Sequence, residues 1–158
     1  MILPTHALVG AVIGKNVSNP WLIIILSLTM HYAMDSLRHG DYWDDRKNNM
    51  RSSAWKVLLD FMAAMAITAS LVYLFMNYDG ISNNILLGVT FSLLPDLFTF
   101  LYKVFPENPV FIKLRDFNYF AHRYNKIPKN SKLREWSFRN FANDFIISVA
   151  AIIILFIK

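Results

Sequence analysis

Ala54 to Tyr78 is a run of mostly apolar residues with no proline or glycine, long enough to cross a lipid bilayer with some tilt. Only Lys56 and Asp60, near its start, are charged until its end. A stretch of this kind inside a chain of 158 residues narrows the possible folds to those that bury it or give it to lipid. The remaining sequence offers several more like it. Ile2 to Val17 forms a first apolar segment, short for a full crossing at ~1.5 Å per residue and broken by His6. Asn19-Pro20 marks a turn, and Trp21 to Leu37 makes the second segment, with Trp21 as an interfacial anchor. After Tyr78-Asp79-Gly80, a tight turn, Ile85 to Val104 makes the fourth. Trp136 to Ile157 makes the last.

The expected fold is therefore all-α: a single integral-membrane domain over 1–158, with about five transmembrane segments at 2–17, 21–37, 54–78, 85–104 and 136–157. The basic, aromatic-rich region 106–131 should carry a short interfacial helix around Val110 to Tyr124. Composition supports this class. Hydrophobic residues make up 55% of the chain and charged residues 17%, outside ordinary soluble usage. There is no cysteine, which excludes a disulfide framework and any thiolate metal site. The N-terminus has no basic region followed by a small-residue cleavage site, so no removable signal is expected. Nor do the basic residues fall into a nucleic-acid-binding pattern; membrane lipids are the expected partners.

Loop charges give an orientation. If all five segments cross, Arg38 to Lys56 and Lys103 to Arg139 lie on one side with most of the Lys and Arg, while the Asn77 to Asn84 turn has none. The positive-inside bias then puts the N-terminus in the cytoplasm and the C-terminus outside the plasma (inner) membrane. His6, His31, Asp35, Asp60, Asp96 and Asp144 all fall toward the cytoplasmic ends of their segments, and His122 lies in the adjoining basic region.

Ionisable groups at membrane depth face a partner, a cavity or a metal. His31 and Asp35 stand one helical turn apart on one face, a spacing that can chelate an ion; their bland alternative is a self-neutralising pair. Asp96 follows Leu93-Leu94-Pro95, where proline frees a backbone carbonyl and turns the carboxylate toward a cavity. Its alternative is the cap of a helix restarting after a break. Asp60 is either a ligand-sphere group or the partner of Lys56 one turn earlier. His122 competes with a lipid-headgroup role for its basic loop, and Asp144 with hydrogen bonding inside the bundle. The expected metal ligands are His6, His31, Asp35 and Asp96, with Asp60 and His122 as outer-sphere groups or general base. Zinc fits the histidines; manganese or magnesium would fit if carboxylates dominate.

Thr5-His6-Ala7-Leu8-Val9-Gly10, the His-x-x-x-Asp of His31 to Asp35, and Leu93-Leu94-Pro95-Asp96 together resemble short motifs of the membrane-bound, metal-dependent hydrolase-like family typified by the LexA-regulated inner-membrane protein group. Here the Leu-Pro-Asp follows the His-x-x-x-Asp, the reverse of the usual order. Of the family's His-Arg-Gly-x-Thr-His-Ser element only His122-Arg123 is present. The resemblance implies a metal site in a small helical membrane protein. The functional expectation is a metal-dependent hydrolase at the cytoplasmic leaflet acting on a lipid ester or phosphoester. The rivals are an ion-binding transporter, whose polar groups should continue across the membrane, and a structural or accessory membrane protein whose polar groups only pair helices.

Overall fold

The computed structural model describes residues 1–37, 39, 50–121 and 138–157. Regular structure there is entirely helical: α1 (Leu3–Asn16), α2 (Pro20–Asp35), α3 (Met50–Phe75), α4 (Ile81–Val104), α5 (Pro109–Ala121) and α6 (Phe138–Phe156). The expected segments thus appear as helices, with ends shifted by a few residues, and a short helix, α5, lies where one is expected around Val110 to Tyr124. His122 lies outside the described residues.

Local chemistry fixes several of these ends. Asn19 precedes Pro20, and its Oδ1 accepts from Trp21 N at 2.9 Å and Leu22 N at 3.3 Å. Asparagine caps the free amides, and proline occupies a first-turn position whose missing N–H is no loss. The same Asn-Pro pair opens α5, where Asn108 Oδ1 accepts from Val110 N at 2.9 Å. Before α4, Gly80 sits at φ 72°, the left-handed region that glycine enters without penalty. Helix α4 then runs unbroken through Pro95, so Asp96 does not cap a restarted helix.

The five-span expectation needs correction. Only Trp55–Phe75 and Ile81–Tyr102 are long and apolar enough to cross a membrane among the described residues. The apolar part of α6, Phe141–Phe156, is shorter. Helix α1 has 14 residues and α2 has 16, roughly 21 and 24 Å at ~1.5 Å per residue against a hydrocarbon core of ~30 Å.

Helix α1 is central. Its residues Thr5 to Ala11 and Gly14 are buried, and α2, α3, α4 and α6 all pack on it. The α1–α4 contact is close because glycines meet there. A Cβ on Gly10 would lie 2.5 Å from Gly88 O, and a Cβ on Gly88 would overlap Gly10 O. Gly14 meets the Asn84 backbone in the same way, which makes Gly10-x-x-x-Gly14 a small-residue face of the kind that lets helix backbones approach.

Directions follow from the side-chain contacts. Thr5 meets Asp144 and Ser148 of α6, and Lys15 Nζ donates to Leu155 O at 2.6 Å and Ile157 O at 3.3 Å. Helices α1 and α6 therefore run parallel, with Lys15 capping the carbonyl end of α6, where a cation is favoured. His6 contacts Asp35 near the end of α2, and Ser92 Oγ donates to His6 O at 2.9 Å, so α2 and α4 run opposite to α1.

The outer faces are apolar. Trp21, Leu22 and Ile25 of α2, Leu58, Met62 and Tyr73 of α3, and Phe145, Ile146 and Ile153 of α6 are all exposed. Inside lie Thr5, His6, Ser27, His31, Asp35, Ser92 and Asp144, each no more than 2% exposed. The polar cluster lies beside an apolar core that includes Leu8, Ile23, Met34, Ile85 and Leu155, so large apolar side chains occupy both the interior and the outer faces.

Candidate metal centre

The cluster is assembled at the start of α1, where four amides of any helix lack intrahelical partners. No side chain of the preceding residue caps α1. Carboxylates from distant helices do so instead: Ile2 N donates to Asp144 Oδ1 at 3.0 Å, and Leu3 N donates to Asp60 Oδ2 at 2.9 Å. The Met1 amino group donates to Asp35 Oδ1 at 2.9 Å. Negative charge at a helix N-terminus is stabilising, so three aspartates from α2, α3 and α6 hold the first turn of α1. That turn carries His6.

His6 Nε2 lies 3.1 Å from Asp35 Oδ1, and His31 Nε2 lies 3.2 Å from Asp35 Oδ2. The two imidazoles stack, their centroids 4.3 Å apart at 29°. His31 Nδ1 is 2.8 Å from Ser92 O. A carbonyl only accepts, so Nδ1 carries the proton, and Nε2, which faces Asp35 Oδ2, offers a lone pair only when the ring is neutral. For His6 an ionised Asp35 is likewise an acceptor, which puts the proton on Nε2 and the lone pair on Nδ1.

Both of those lone-pair atoms, His6 Nδ1 and His31 Nε2, are buried without a hydrogen-bond partner, and so is Asp96 Oδ2. An unpaired buried polar atom is expensive and needs a reason. These three residues are also the ones whose ligand atoms lie within 4.8 Å of one another. The donor set of two imidazoles and a carboxylate, gathered this closely, fits a divalent cation.

The anticipated residues thus divide. His6, His31 and Asp96 come together from α1, α2 and α4. Asp35 touches both histidines and stands where an orienting carboxylate stands behind metal-binding imidazoles. Asp60 and Asp144 bond backbone amides of α1, and the Asp144 carboxylate is also 3.5 Å from Thr5 Oγ1. Ser92 was not anticipated, yet it ties the site together, with its Oγ on His6 O and its carbonyl on His31. It precedes Asp96 by one helical turn, a spacing visible in the sequence. Gly10-x-x-x-Gly14 was equally readable as a close-packing face.

Compared with family models, with curated proteins and with solved structures, the chain matches none.

Proposed function

We propose that this chain is an integral-membrane, metal-dependent hydrolase whose centre opens toward the cytoplasmic leaflet. The observation that carries the reading is the clustering of His6, His31 and Asp96, whose ligand atoms come within 4.8 Å of one another, with His6 Nδ1 and Asp96 Oδ2 buried and without a hydrogen-bond partner. His6, His31 and Asp96 hold the ion, and three protein ligands leave a position for water or substrate, the pattern of catalytic rather than structural sites. Two imidazoles favour zinc; manganese and magnesium are the alternatives. A divalent ion here supplies Lewis acidity toward water and toward an ester or phosphoester oxygen.

The protein groups have distinct tasks in this proposal. Asp35 accepts from His6 Nε2 and so directs Nδ1 inward, while Ser92 O does the same for His31 through Nδ1. Asp60 and Asp144 act at one remove by fixing the turn that carries His6. His122, outside the described residues, remains the proposed general base. The apolar outer faces and the basic loops support a bilayer setting in which α3 and α4 cross and the shorter helices α1, α2 and α6 pack beside them. A lipid ester or phosphoester is the substrate class reachable from such a site. The resemblance to the hydrolase-like membrane family points the same way.

Elemental analysis of the purified protein tests the metal. A stoichiometric divalent ion is expected in the parent chain and its loss in His31→Ala; equal metal content in the two would sink the proposal. A second reading is favoured by one observation: Asp60 and Asp144 bond backbone amides, as groups that only pair helices would. It predicts a metal-free parent chain, with His31→Ala lowering thermal stability alone.

A further inference from the structure

Helices α2, α4 and α5 line a half-open cavity of about 390 Å³ beside the histidine cluster, within the size range of small-molecule sites. Leu28, Leu94, Phe98 and Phe117 give it apolar walls, and Tyr32 and Asn118 also line it. Tyr32 joins it to the centre. Its ring stands edge-on to His31 at 5.1 Å and edge-on to Phe117 at 5.7 Å, so one aromatic ring separates the cavity from a proposed ligand. On the α4 side, the cavity-lining Pro95 immediately precedes Asp96.

One polar atom of the wall is unaccounted for. Asn118 Nδ2 donates to Thr99 Oγ1 at 2.7 Å, and Thr99 Oγ1 donates to Pro95 O at 3.1 Å. This chain of donors fixes which end of the amide is nitrogen. Asn118 Oδ1 is then an acceptor, buried and without a partner. A buried acceptor in that state is destabilising until a donor reaches it.

We infer that the cavity seats the hydrocarbon chain of a single-chain lipid ester bearing a free hydroxyl beside the ester, with Asn118 Oδ1 accepting from that hydroxyl. This rests on the hydrolase reading and names its substrate class. A cavity of this size, walled by Leu28, Leu94, Phe98 and Phe117, has room for one hydrocarbon chain. The walls match hydrocarbon, the orphaned acceptor matches a glycerol-type hydroxyl, and the neighbouring Asp96 and His31 put the ester next to the metal ligands.

Photo-cross-linking of the purified full chain in nanodiscs tests it, with a 1-acylglycerol carrying a diazirine in its chain, its O-methyl ether, and a lysophospholipid with the same chain. Adducts are expected on segments 94–98 and 114–118. The hydroxyl probe should label about fivefold more than its ether, the worth of one hydrogen bond. Asn118→Leu should erase that difference, while Leu94→Trp and Leu114→Trp, which fill the cavity by different routes, should each lower labelling several-fold. Labelling by the acylglycerol or by the lysophospholipid supports the inference, and their ratio identifies the headgroup. Adducts spread over the exposed faces of α3 and α6 and unchanged in the filled variants would overturn it. Metal content of the same samples separates the two proposals. Cavity labelling in metal-free protein defeats only the metal centre, and diffuse labelling in metal-loaded protein defeats only the chain site.

Discussion

Asp35 engages one nitrogen of His6 and leaves the other over, while His31 has Nδ1 on Ser92 O and Nε2 facing the same carboxylate. Replacing Asp35 by Asn keeps the size of the side chain and removes the charge that orients His6, so metal affinity should fall roughly 10- to 100-fold, as measured by competition with a chelator. Ser92→Ala should do far less. It removes the Oγ bond to His6 O but keeps the carbonyl that holds His31, costing ~1 kcal/mol of stability and leaving metal content unchanged. A large metal loss in Ser92→Ala would contradict that division of labour. At this scale the His31–Asp35 pair was legible, since four residues on a helix impose a shared face. The partnership of Asp60 and Asp144 with α1 was not, because their partners are backbone amides, which every residue but proline has and no side-chain pattern reveals.

Among the elements, the α1–α4 crossing depends on glycine for contact and the α3–α4 turn depends on glycine for conformation, and these two dependencies should respond differently to a methyl group. At Gly88 the added carbon meets the backbone of α1, so Gly88→Ala should cost ~1–3 kcal/mol and lower the thermal midpoint in detergent. At Gly80 nothing lies within 4 Å, and Gly80→Ala should cost only the left-handed penalty of ~1–2 kcal/mol, part of which Gly80→Asn recovers. Equal recovery by Asn at both sites would refute the distinction. The helices themselves were legible from apolar runs and from Pro, Gly and Asn punctuation. Their number of full crossings was overestimated, because apolar character was read as exposure to lipid, whereas α1 is apolar largely because other helices surround it.

For the whole molecule, a buried polar cluster and exposed apolar faces are what the proposed bilayer setting requires, and the loop charges propose which way it faces. The absence of native cysteine makes this simple to check. In intact cells a membrane-impermeant thiol reagent should label Asp79→Cys and reach Lys113→Cys only after permeabilisation; the opposite pattern would reverse the proposed orientation. That the polar residues share one end was legible from segment direction alone. Which of them touch was not, since His6 and Asp35 are brought together by the crossing of α1 and α2 rather than by any local spacing.

The first turn of α1 has a consequence for how the chain is made. Its amides bond Asp60 and Asp144, and its other end receives Leu155 O and Ile157 O through Lys15. Those partners emerge from the ribosome after α1 does, the last of them with α6. Helix α1 is thus synthesised before the partners that complete its bonds, and until they follow, its first-turn amides and Lys15 lack them. A chain that stalls before α6 would lack both the Asp144 carboxylate and the carbonyls that hold the two ends of α1.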